Sequence, residues 1–341
     1  IESLDMSDHA NVASKIFLNE ESELRSGWRI LIFFILFLFA AILINTLLDG
    51  IASVFPPLGN LLRAPDIEEG ASARVFVYHV LGQITNLAAA LIATALSARL
   101  LEHRSLASVG YKLHRRWTGD FAYGSLIGAA SLSLAVGIEA AAGAVNFDVQ
   151  TRDGRFLIRA FALLFCFFLI AGAIEELLFR GFAFQALIHN IGPFAAIAFT
   201  SILFGLAHWR NDNATIFSTI NTILAGVWLG IAYLMTRSLW LATALHYSWN
   251  LVMVFVFGLP VSGITTYSHL AWLNGQTGST AWLSGGDYGP EGGAAVTIVL
   301  IISTLVIWKG RLFAPSEEMI AATRHGSIAT NKAENPPPGD Q

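Results

Sequence analysis

The chain has 341 residues, of which 55% are hydrophobic and only 13% charged, and its formal net charge is −4. With a mean hydropathy of +0.60 and a pI near 6.1, that composition excludes an ordinary soluble domain and offers no basic excess for nucleic acid. The single cysteine, Cys166, excludes an intrachain disulfide and a cysteine-based metal cluster, and reads as a packed apolar thiol.

An acidic head, residues 1–27, precedes the first apolar run and lacks the short basic start of a cleavable signal peptide. Runs of about twenty apolar residues then predict spans near 28–50, 73–98, 120–145, 158–188, 193–209, 214–235, 239–259 and 291–309. The expected fold class is all-α, a polytopic membrane helical bundle of about eight transmembrane helices. It divides into N-terminal helices over 28–154, a core over 155–260, a loop over 261–290, a last helix over 291–313 and a disordered tail over 314–341. The 99–119 loop carries Arg99, Arg104, Lys112, Arg115 and Arg116, whereas 260–290 has no Lys or Arg. By the positive-inside rule both termini are then cytoplasmic, and Lys15, Arg25, Lys309 and Arg311 agree.

Several features along the spans read as architecture. Gly124 with Gly128, and Gly226 with Gly230, have the spacing that lets helices approach closely. His79, Gln83 and Asn86 share a helical face and read as interhelical hydrogen-bonding groups. Glu139, near the end of the third span, is expected at the interface. The 260–290 loop, with Trp272 and Trp282, reads as an aromatic-rich external segment, with covering an active-site entrance as a second role open to it.

The charges that need a reason lie in IEELLFRG, residues 174–181. On a helix Glu175 and Glu176 point different ways, whereas Glu176 and Arg180 at i, i+4 share a face in the favourable acid-first order. That spacing predicts an internal Glu176–Arg180 pair and leaves Glu175 free to face something else. Two more polar intrusions follow, FGLAHW with Phe204 and His208, and LHYSWN with His246 and Asn250. One carboxylate, two histidines and an asparagine recurring on three spans read as a site, because such groups are costly inside a bilayer.

Three chemistries use this set. In hydrolysis Glu175 is a general base, His208 orients water, and His246 and Asn250 donate to a developing oxyanion. In metal-assisted hydrolysis Glu175, His208 and His246 are zinc ligands, although no HExxH spacing backs a metal. In proton-coupled transport Glu175 and the histidines form a relay. Any of these needs Glu175 and His208 at one depth, which requires the fourth helix to run on to about Leu187 and the next to extend past Trp209 toward Asn213.

At these residues the chain resembles the CPBP family of intramembrane endopeptidases, which includes type II CAAX prenyl proteases and bacterial Abi proteins. The resemblance rests on EExxxR at Glu175, Glu176 and Arg180, on FxxxH at Phe204 and His208, and on HxxxN at His246 and Asn250, over about residues 155–260. It implies a water-filled intramembrane cavity in which Glu175 and His208 activate water while His246 and Asn250 bind the oxyanion, with Glu176, Arg180 and Phe204 in support. It further implies a membrane-associated peptide or protein substrate, a cytoplasmic (inner) membrane location and no cofactor. Zinc on the same residues is the metal-dependent alternative. Members tied to bacteriocin immunity add a non-catalytic scaffold as a rival, and a CAAX substrate does not follow automatically.

Overall fold

The computed structural model describes residues 16–19, 23–62 and 72–323. Most of the N-terminal head, with Lys15, and the tail from 324 on lie outside the described residues.

The protein is a helical membrane bundle. Long apolar helices are α1 (Ser26–Val54), α3 (Ala73–Leu101), α4 (Trp117–Ala141), α5 (Gly154–Arg180), which runs into α6 (Phe182–Ile191), α8 (Ile216–Thr236) and α9 (Leu239–Leu251). The last continues as a π-helical turn over Val252–Val256. Between them fall the short α2 (Pro56–Leu61) and the 15-residue α7 (Pro193–Ala207); α10 (Ala281–Ser284), α11 (Ala294–Lys309) and α12 (Glu317–Ala322) follow among the described residues. Six of these spans are long and apolar enough to cross a membrane, while α7 and α11 are apolar but shorter. All eight apolar runs read from the sequence are therefore helical, but a count of eight crossings does not follow.

Side chains set the helix starts. Asp153 accepts the Phe156 N–H at the head of α5, Thr215 and Ser218 close a reciprocal capping box on α8, and Ser238 caps α9. The two small-residue pairs act where expected. A Cβ on Gly128 of α4 would collide with Ser248 of α9, and one on Gly226 of α8 would lie 2.8 Å from the Ser201 Cα of α7. These contacts pack α9 between α4 and α5, and α7 against α8.

Three expectations need correction. The third span ends at Ala141, and Val145–Val149 (β1) pairs antiparallel with Leu273–Thr277 (β2), Val145 opposite Thr277. The alternation in VNFDV has a strand's period of two, and it is too polar to continue a membrane helix. Glu139, expected at the interface, has zero exposure and so faces protein rather than the surroundings; Ala144 and Val145 beyond the helix end are buried as well and lead into the strand pair. Within the 314–341 tail, α12 is helical, with Ser316 capping Met319 and the Glu318 carboxylate accepting the Arg115 N–H.

The segment between the π turn and α11 folds back onto the bundle. Trp272 N–H bonds to Phe255 O, Gly263 N–H to Tyr288 O, and the Tyr267 hydroxyl pairs with His79 Nδ1 at 2.8 Å. His79 thus bonds across elements, to this segment. Trp272 and Trp282 stay largely exposed.

Candidate active site

Glu175 and His208 reach the same depth by a matched pair of helical lengths. At 1.5 Å per residue the helical path from Glu175 to Ile191, broken at Gly181, is about 24 Å and that from Pro193 to His208 about 22 Å, and the two ends meet with Glu175 Oε2 4.0 Å from His208 Nε2. The reversal is made at Gly192, whose φ of +82° is a left-handed conformation, with Pro193 starting α7. The continuation to Leu187 that depth required is present, with a break at Gly181, where an added Cβ would strike the Leu177 carbonyl. The extension past Trp209 is not: α7 ends at Ala207 and His208 is its C-cap. Because α7 is short, its C-terminus already lies level with Glu175, so no further helix is needed.

The two carboxylates separate as their spacing predicts. Glu176 and Arg180 have zero side-chain exposure, and Arg180 Nη1 lies 3.1 Å from Glu176 Oε1. Arg180 Nη2 also donates to Gly226 O at 3.1 Å, and its guanidinium stands over the Phe204 ring at 4.5 Å. Phe204 in turn packs against both His208 and His246. Glu175 is turned away from this pair and is 33% exposed.

Glu175 Oε2 lies 4.0 Å from His208 Nε2 and 3.8 Å from His246 Nε2, and has no hydrogen-bond partner among the described residues. Each histidine is anchored through its other nitrogen. His208 Nδ1 donates to Phe204 O at 2.8 Å, since a carbonyl can only accept. His246 Nδ1 donates to Glu176 Oε1 at 2.9 Å, so the buried ion pair also orients the second histidine. With Nδ1–H committed, His246 donates from Nε2 only as the imidazolium.

These side chains border one cavity of about 240 Å³, to which Asn250 also contributes. The rest of its wall is mostly apolar, including Phe167, Phe168, Trp228 and Leu300, with Gln83 reaching in from α3. Glu175, His208, His246 and Asn250 thus lie around a common space, with Phe204 in its wall and Glu176 and Arg180 behind it.

Sequence reasoning missed a second polar group on this cavity. Glu291, just before α11, accepts from Trp249 Nε1 at 3.1 Å through one oxygen, and from Ser262 N–H at 2.7 Å and Ser262 Oγ at 2.6 Å through the other. Asn211, three residues past His208, donates to Ser262 O at 3.0 Å. Asn221 of α8 donates to the Glu291 and Gly293 carbonyls, both at 2.9 Å. A single acid beside proline in a glycine-rich loop has no periodicity to mark it; its only signal is that it borders an apolar run.

As a zinc shell the donors are awkwardly spaced. Tetrahedral bonds of 2.0–2.1 Å put ligand atoms about 3.3 Å apart, whereas Glu175 Oε2 stands 3.8 and 4.0 Å from the two imidazole nitrogens. Among the described residues no group of three His, Cys, Asp or Glu side chains is arranged to hold a metal ion.

No curated protein and no solved structure matches the chain. Residues 157–252, which hold all three motifs, match the family described as type II CAAX prenyl endopeptidase Rce1-like, and the resemblance read from those motifs is borne out over that segment.

Proposed function

We propose that this protein is an intramembrane endopeptidase that hydrolyses peptide bonds of membrane-associated peptides or proteins by a glutamate-activated water. The observation that carries the reading is the convergence of Glu175 Oε2 and His208 Nε2, 4.0 Å apart, on a shared cavity. A water within hydrogen-bond distance of both fits that gap, and both atoms are acceptors once His208 Nδ1–H is committed to Phe204 O. Such a water gives one hydrogen to each and turns its lone pairs toward a peptide carbonyl. Glu175 takes the proton as the water oxygen bonds to the carbonyl carbon, and returns it to the amine when the C–N bond breaks. His246, as imidazolium, and the Asn250 amide are the donors to the transient oxyanion.

The cavity's mostly apolar wall suits a membrane-embedded substrate and lowers the local dielectric, which strengthens each of these polar interactions. A CAAX-type C-terminus is the substrate named for the matched family. For this chain the class proposed is the broader one, a peptide or protein in or on the bilayer, with no nucleic-acid partner. Arg99, Arg104, Lys112, Arg115 and Arg116 on one side of the bundle, against no Lys or Arg in 260–290, support a cytoplasmic-membrane orientation with both termini inside.

Zinc held by Glu175, His208 and His246 has one observation on its side, that each histidine is anchored through its second nitrogen, as ligand histidines are. The donor spacing and the neutral amide of Asn250 weigh for the metal-free reaction. Purified protein in liposomes, assayed against membrane-anchored peptide libraries, tests the proposal: cleavage that depends on Glu175 supports it. Glu175-dependent solute flux without cleavage would make the protein a proton-coupled transporter, and neither activity would leave a bacteriocin-immunity scaffold.

A further inference from the structure

The two histidine arms of the site come from different parts of the chain, and each leaves the α-helical conformation at or just beyond its site residues. His208 caps a short helix and leads directly into turns, including Asn213 at φ +58°. Asn250 is two residues before α9 gives way to the π-helical turn Val252–Val256. Helical hydrogen bonding alone therefore does not fix the spacing between the arms.

A chain of four hydrogen-bonded residues does. Asn211, on the His208 arm, donates to Ser262 O, and Ser262 gives both its N–H and its hydroxyl to one oxygen of Glu291. The other oxygen of Glu291 takes the indole N–H of Trp249, which sits between His246 and Asn250 in sequence on the second arm. Ser262 is held at φ +47°, a left-handed conformation that serine rarely adopts and that persists only where its surroundings over-determine it. Its neighbour Gly263, at φ +84°, leaves no room for a Cβ beside the Asp212 carbonyl, so the segment presses closely on the His208 arm. Behind Glu291, Asn221 bonds to the Glu291 and Gly293 carbonyls and accepts from the Thr297 hydroxyl, anchoring the acid to α8 and α11.

We propose that Glu291 is a positioning residue, outside the family-matched segment, that ties the His208 and His246/Asn250 arms together through Ser262 and Trp249 and so sets the geometry in which water and oxyanion are held. Both carboxylate oxygens are engaged by protein donors, which distinguishes it from Glu175: although it borders the same cavity, its hydrogen bonds are spent on holding the arms. The catalytic part of this inference rests on the endopeptidase reading, while the mechanical part does not.

The test compares wild type with Glu291→Gln, Trp249→Phe and the double variant in detergent or liposomes. Trp249→Phe keeps an aromatic ring against Trp228 but removes the indole donor together with part of a buried side chain, whereas Glu291→Gln is isosteric, so the two break the link by different means and each is confirmed folded. Two readouts are taken, amide hydrogen exchange over 208–213 and 246–252, and kcat and KM for a cleaved peptide. The expected result is faster exchange in both segments in each variant and a kcat at least about tenfold lower in Glu291→Gln, with KM within about threefold, since small misplacements act on the chemical step. The double variant should be no worse than Glu291→Gln alone, because both break the same link. Unchanged exchange in either arm overturns the coupling whether or not the protein cleaves anything. Faster exchange with kcat unchanged, or kcat losses that multiply, overturns the positioning role. A wild type that cleaves no peptide refutes the endopeptidase reading instead, and exchange still judges the link.

Discussion

Neutralising Glu176 should damage the fold before it damages the chemistry. In Glu176→Gln the amide oxygen remains to accept His246 Nδ1–H, but the Arg180 guanidinium loses, among the described residues, its only ion-pair partner, at 3.1 Å, while both side chains have zero exposure. What remains to Arg180 is the Gly226 carbonyl and the rings of Phe204 and Phe179, and among the described residues its Nε already lacks a hydrogen-bond partner. Leaving a buried charge uncompensated costs about 3 to 5 kcal/mol, which lowers the folded-to-unfolded ratio by two to four powers of ten, roughly. Thermal unfolding in detergent should shift down by on the order of 10 °C. Glu175→Gln is the comparison: the side chain is 33% exposed and its contacts at 3.8 and 4.0 Å exceed hydrogen-bond length, so less than about 1 kcal/mol is expected. Adding Arg180→Met to Glu176→Gln removes the stranded charge and should recover much of the loss. Equal unfolding temperatures for the two single variants, or no recovery in the double, would refute the division of the two carboxylates into architecture and chemistry.

Other outcomes follow from the same geometry. Asn250→Ala, which removes an oxyanion donor from the cavity wall, should lower kcat by about 10²-fold with little change in KM; a KM effect alone would make Asn250 a substrate-binding group. Exhaustive chelation should leave turnover intact, and metal analysis of active protein should find less than stoichiometric zinc. Stoichiometric zinc whose removal stops cleavage and whose return restores it would convert Glu175, His208 and His246 into a metal site.

The parts of this site that were legible in the sequence are those fixed by helical period. Glu176 and Arg180 four apart had to share a face, and the pair forms; His246 and Asn250 four apart border the same cavity. The close approaches at Gly128 and Gly226 followed from spacing for the same reason. Depth was legible only as a requirement. Residue spacing could not show that α7 is short enough to end level with Glu175, since helix ends are set by caps and turns such as the one at Gly192. The β1 alternation was there to read, but five residues just past an apolar run, paired with a strand far along the chain, carry too weak a signal, and only Val145 fell within the predicted span. Glu291, Ser262 and Asn211 lie in irregular segments, where tertiary contact alone decides what touches what.

The central claim is that Glu175 activates the water that cleaves a peptide bond. Rates of cleavage of one membrane-anchored peptide by wild type and Glu175→Gln, each confirmed folded, test it most directly. The account predicts that the isosteric amide, which cannot take a proton from water, lowers kcat by about 10³-fold or more. Cleavage by Glu175→Gln at the wild-type rate would contradict it.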